Sequence, residues 1–171
     1  MLKIKQWLSM FLALSMGIVL SLSLVLVQPA YAADQIPEFG KCTILVNDYR
    51  DANLTASDDG TVSTHHQFEK DEFWELVKYI IEDVEYYQIH NLYNHQNLYG
   101  EEGSTGTATD FNTNQLWELI KTEDSKYIIK NGKNRQNLFA WESGFVGTNA
   151  SAYPDQFWRL IPNNNTLLGC Y

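Results

Sequence analysis

Basic residues are scarce in this chain: twelve Lys and Arg face 21 Asp and Glu, and Lys3 and Lys5 lie at its very start. Past residue 33 the balance is ten against 21, a net charge of −11 with His neutral. A polyanion of that size is repelled by phosphate backbones and anionic bilayers, and no basic cluster offsets it. Nucleic acid is therefore not expected as a partner, and neither is membrane insertion of the mature domain. The four histidines offer no metal site. A strand would point adjacent His65 and His66 to opposite faces, and His90 and His95 flank a turn with no Cys or carboxylate at ligand spacing. No nucleophile elbow or ordered Ser, His and Asp set is present. The expectation is a non-enzyme with no catalytic residues, metal or cofactor, and with its carboxylates spread as a solvated surface.

Cysteine is scarcest of all, with Cys42 and Cys170 alone. Their meaning depends on the N-terminus. Lys3 and Lys5 precede an almost unbroken apolar run from Leu8 to Val27, followed by Pro29 and the small-x-small triplet Ala30-Tyr31-Ala32. This is the pattern of a signal peptide over residues 1–33, cleaved near Ala32 and leaving a secreted, extracellular protein of residues 34–171. An uncleaved anchor is the alternative, because the run is long. In an exported chain two cysteines most simply form one disulfide, here tying the first strand to the last; two unpaired thiols are the alternative. Closing so long a loop stabilises by up to about 4–5 kcal/mol. The export signal is bacterial in character, so the triplets at Asn53, Asn149 and Asn164 are taken as chance matches to a glycosylation site.

What the chain has in excess is repetition. Gln115-Leu116-Trp117-Glu118-Leu119-Ile120 recurs as Gln156-Phe157-Trp158-Arg159-Leu160-Ile161, and upstream as Glu72-Phe73-Trp74-Glu75-Leu76-Val77. The tryptophans are 43 and 41 residues apart. A second signature keeps step: Leu45-x-Asn47 with Asn53-Leu54, Ile89-x-Asn91 with Asn97-Leu98, and Ile129-x-Asn131 with Asn137-Leu138. Two landmarks in register three times define an internal threefold repeat, over about 42–82, 83–123 and 124–171.

Each repeat reads as short strands. Tyr87-x-Ile89, Tyr127-x-Ile129, Trp117-x-Leu119 and Trp158-x-Leu160 alternate at period two. Glu69 to Tyr87 also suits an amphipathic helix, but the equivalent stretch of repeat three holds Pro154 and Pro162, so Phe73 to Val77 is assigned as strand and 83–85 as linker. Loose stretches rich in Gly, Ser, Thr and Asp are expected at 57–60, 101–107 and 143–151. One such repeat cannot bury its apolar face alone; three closing a barrel can, and closure brings the chain ends together.

On these motifs, above all Asn114-Gln115-Leu116-Trp117 and Asp155-Gln156-Phe157-Trp158 with the openings at Tyr87 and Tyr127, residues 41–171 resemble the ricin-type β-trefoil lectins with their three Gln-x-Trp repeats. The resemblance implies an all-β fold of twelve short strands with shallow sugar sites outside each repeat, and glycans or glycoproteins as partners. There are departures. Sugar-binding members carry an Asp after the conserved Leu of the second strand; here Thr55, Tyr99 and Phe139 stand there. The stacking aromatic falls near His65, Asp110 and Asn149, and the Asn-Gln pair is complete only at Asn114-Gln115.

Trp74, Trp117 and Trp158 are assigned to the core, and Asn47, Asn91 and Asn131 to setting turns. A sugar site needs a flat aromatic and a few fixed polar groups. Repeat two offers Tyr99, Asp110, Phe111, Asn114 and Gln115; repeat three offers Trp141, Asn149, Tyr153, Asp155 and Gln156, although the two glutamines are read first as structural, tying strand to loop through amide hydrogen bonds. Two functions stand: a lectin-like carbohydrate-binding protein, or a protein-interaction trefoil, such as a protease inhibitor or toxin partner, that has lost sugar binding.

Overall fold

The computed structural model describes residues 42–163. The leader, Cys170 and the Asn164 triplet lie outside the described residues, so the expectations placed on them are not addressed by the fold.

Twelve strands form among the described residues: β1 (Thr43–Asn47), β2 (Ala52–Ala56), β3 (Val62–His65), β4 (Phe73–Ile81), β5 (Val84–Asn91), β6 (Asn97–Glu101), β7 (Ser104–Ala108), β8 (Leu116–Lys121), β9 (Tyr127–Asn131), β10 (Asn137–Ala140), β11 (Val146–Asn149) and β12 (Phe157–Pro162). Single 3-10 turns at Lys70–Glu72, Thr113–Gln115 and Pro154–Gln156 lead into β4, β8 and β12. Antiparallel pairings run β12–β1–β4–β5–β8–β9 and back to β12, closing a ring of six strands with no free edge along it. The hairpins β2–β3, β6–β7 and β10–β11 stand off this ring, one per four-stranded unit.

Sequence periodicity accounts for the core. Leu45, Ile89 and Ile129, one per unit, are fully buried with Leu54, Leu98 and Leu138 and the three repeat tryptophans. A buried indole needs a partner for its N–H. Each finds the leucine carbonyl of its own unit's second strand: Trp74 with Leu54 (2.9 Å), Trp117 with Leu98 (2.9 Å) and Trp158 with Leu138 (3.0 Å).

The buried asparagines hold the units to one another. Asn47, Asn91 and Asn131 each accept backbone N–H bonds from the turn that follows, at Arg50, at Tyr93 and Asn94, and at Lys133 and Asn134. Their amides donate, each at 2.7 Å, to the carbonyls of Asp155, Asp71 and Asn114, in the 3-10 turn of the preceding unit around the ring.

Two local assignments differ from the sequence. The stretches 101–107 and 143–151 are not loose throughout: Ser104–Ala108 and Val146–Asn149 are strands, because their small residues pair with β6 and β10. Residues 83–85 are not a linker. Glu82 and Asp83 form a tight turn, both at positive φ, and β5 begins at Val84. The extra residues of the first spacing lengthen a hairpin.

Candidate functional site

A cleft of about 770 Å³ opens on the third unit, lined by Tyr49, Ala140, Trp141, Glu142, Ser143, Asn149, Tyr153, Pro154 and Asp155. Four of the five repeat-three candidates meet here. Trp141 follows β10, Asn149 ends β11, and Tyr153 and Asp155 flank the start of the last 3-10 turn. The fifth, Gln156, is 1% exposed and lies beneath the cleft. Its side-chain oxygen accepts from Asn137 at 3.0 Å and its amide donates to the Ser151 carbonyl, which fixes the loop carrying Tyr153.

Three of the nine lining residues are aromatic. Trp141, Tyr49 and Tyr153 are 61, 57 and 54% exposed, far more than three large rings would be if packing were their only task. Trp141 rests on Phe139 with ring centroids 6.3 Å apart, and Phe139 in turn meets Phe145 at 6.0 Å. Arg50 donates to the Trp141 carbonyl, and the Tyr49 hydroxyl reaches the Glu142 carboxylate at 3.5 Å. The polar groups are Asn149, Glu142 and Asp155. Asn149 accepts the Ser151 N–H at 3.0 Å. Asp155 has one carboxylate oxygen buried without a hydrogen-bond partner, and burial raises its pKa.

Tyr49 and Glu142 were not singled out from the sequence. Tyr49 belongs to the first unit, on the turn between β1 and β2, and ring closure places it beside the third. A repeat alignment compares units and is blind to a residue donated by a neighbour. Glu142 could have been found from its place beside Trp141.

Repeat two is arranged otherwise. Asn114 and Gln115 are buried, 6 and 1% exposed. Gln115 donates to the Asp110 carbonyl at 2.8 Å and completes a capping box with Asn112. The Tyr99 ring is half-buried over Gly106, so closely that a Cβ there would fall within 3 Å of it. Asp110 and Phe111 are exposed, and Phe111 leans on Tyr79 with centroids 6.5 Å apart. These five side chains are divided between core and surface. In the first unit His65 contacts Ser63 at 2.9 Å, and Ser63 contacts Thr55 at 3.1 Å. Among the described residues no three His, Cys, Asp or Glu side chains converge as metal ligands would.

Comparison with solved structures decides the architecture. SeviL, in a structure bound to asialo-GM1 saccharide, superposes with a TM-score of 0.62 at 14% identity, over 70% of this chain and 95% of that one. ThreeFoil, a designed threefold-symmetric protein, gives 0.62 at 18% identity, over 71% of this chain and 98% of that one. The fold is a β-trefoil. No family model and no curated protein matches the sequence. At such identities the likeness establishes the trefoil scaffold and nothing beyond it.

Proposed function

We propose that this trefoil binds carbohydrate through the cleft of its third unit, as a ricin-type lectin without catalytic activity. The observation that carries this is the meeting of Trp141, Tyr153 and Tyr49 with Asn149, Glu142 and Asp155 around one opening. Aromatic faces stack on the C–H face of a pyranose, while carboxylate and amide oxygens accept from its hydroxyls. SeviL's saccharide complex on the same scaffold adds support. The leader pattern agrees with export and an extracellular role among glycans or glycoproteins. Binding needs no cofactor.

The protein-interaction alternative, as a protease inhibitor or toxin partner, rests on Phe139. This ring occupies the position where sugar-binding ricin-type members carry an Asp, and it is 8% exposed.

Intrinsic fluorescence separates the two. Trp74, Trp117 and Trp158 are fully buried and Trp141 is exposed, so iodide quenches Trp141 first. A saccharide seated in the cleft protects Trp141 from iodide and shifts its emission. No protection by any member of a broad panel of neutral oligosaccharides would contradict the lectin assignment.

A further inference from the structure

The segment before each repeat tryptophan has one backbone geometry in all three units. Loops of equal length join β3, β7 and β11 to the 3-10 turns that end at Glu72, Gln115 and Gln156. The residues entering these turns, Glu69, Asn112 and Tyr153, have φ of −130°, −142° and −128°. Those leaving, Phe73, Leu116 and Phe157, have φ of −91°, −94° and −88°. Only the side chain at the end of the turn differs.

On this common frame each glutamine makes two kinds of bond. Its oxygen accepts, in Gln156 from the Asn137 side chain at 3.0 Å and in Gln115 from the Asn112 N–H at 3.4 Å. Its amide donates to the carbonyl five residues earlier, from Gln115 to Asp110 at 2.8 Å and from Gln156 to Ser151. Glu72 keeps only the first kind. Asn53, the counterpart of Asn137, donates to its Oε2 at 2.7 Å. Its Oε1 is buried and has no hydrogen-bond partner. The matching carbonyl in the first unit is that of Gln67. An ionised carboxylate has no hydrogen to offer it, whereas the neutral acid has one.

We propose that Glu72 is a proton-dependent latch: protonated on Oε1 it donates to the Gln67 carbonyl as the glutamines do, and ionised it releases residues 66–71. Loss of the proton to solvent leaves a buried carboxylate oxygen facing a carbonyl oxygen, so the segment must move to hydrate the charge. The groups that bear on this carboxyl supply no cation. Burial, and after it the Asp71 and Glu69 carboxylates, favour the neutral acid, and β2 supplies only the neutral Asn53 amide, which opposes them. His65, ending β3, acts on Asp71, and Lys70 lies over the Tyr93 ring at 5.1 Å. The latched segment is also a seam between units, since Asn91 donates to the Asp71 carbonyl at 2.7 Å. The latch is therefore closed at acid pH and opens as pH rises through the folded-state pKa of Glu72. The inference does not depend on the cleft.

A pH titration of the folded protein followed by carboxyl-carbon and amide NMR tests it. The Glu72 carboxyl should titrate above the ordinary carboxylate range. The backbone amides of residues 66–71 and the Asn91 side-chain amide should shift with the same midpoint. Glu72→Gln should delete that phase and leave only those of Glu69, Asp71, His65 and His66. A Glu72 carboxyl that titrates in the ordinary range, amides that do not follow it, or a phase that persists in Glu72→Gln overturns the proposal.

Discussion

Asn47 donates its side-chain amide to the backbone carbonyl of Asp155 at 2.7 Å, joining the β1–β2 turn to the 3-10 turn at Pro154–Gln156. The same side chain accepts the Arg50 N–H at 3.2 Å and is wholly buried. One residue thus ties the first unit to the third, sets the turn that carries Tyr49, and fixes the segment that presents Asp155 to the cleft. Asn47→Ala strands two backbone groups, so its expected cost is about 2–4 kcal/mol in urea unfolding. Ligand affinity should fall with it, because both walls of the cleft are released.

Glu72 occupies the place of Gln115 and Gln156 and is fully buried. Asn53 donates to one of its oxygens at 2.7 Å, and the other has no hydrogen-bond partner. Burial raises its pKa above the ordinary carboxylate value despite the Asn53 bond, and Asp71 beside it is raised for the same reason. A folded-state pKa above the unfolded one gives stability that is full below the unfolded value and lost as pH rises through the folded value. Thermal melts from pH 4 to pH 8 should therefore show Glu72→Gln gaining on the native protein as pH rises. An advantage that is flat or shrinking with pH would contradict a destabilising buried carboxylate.

Trp117 and Trp141 should respond oppositely to truncation. Trp117 is unexposed and bonded to Leu98, so Trp117→Ala should destabilise by about 3–5 kcal/mol. Trp141→Ala removes an exposed ring and should leave the melting temperature nearly unchanged. Paired denaturation curves check both.

Cys42 is buried at the threshold of β1. If it pairs with Cys170, thiol titration of the denatured, unreduced protein finds no free cysteine. Reduction should then lower stability by up to about 4–5 kcal/mol.

The repeat made the scaffold legible. Leu45, Leu54 and Trp74 recur in register because each must bury against its symmetry mates, and burial leaves a periodic trace. The strands at Ser104–Ala108 and Val146–Asn149 left no such period, since their Gly, Ser and Thr pair through backbone and only Val146 adds an apolar side chain to the core. The 3-10 turns before each tryptophan were likewise hidden by their three-residue length. In the candidate site, Trp141 and Tyr153 were legible as aromatics beside turn-forming residues. Tyr49 was not, because it reaches the cleft only through the β1–β12 pairing that closes the ring. Gln115 and Asn114 illustrate the converse. A motif associated with ligand contact here turns inward: the Gln115 side chain donates to the Asp110 carbonyl, while buried Asn114 lends its backbone carbonyl to Asn131.

The most direct test is a glycan array probed with the protein displayed multivalently, run side by side with Trp141→Ala at matched folding. Multivalent display lets a weak single cleft register. The account predicts a focused set of glycans sharing one terminal sugar, retained by the native protein and lost with Trp141→Ala. Silence from folded native protein, or glycan retention unchanged in Trp141→Ala, would contradict it.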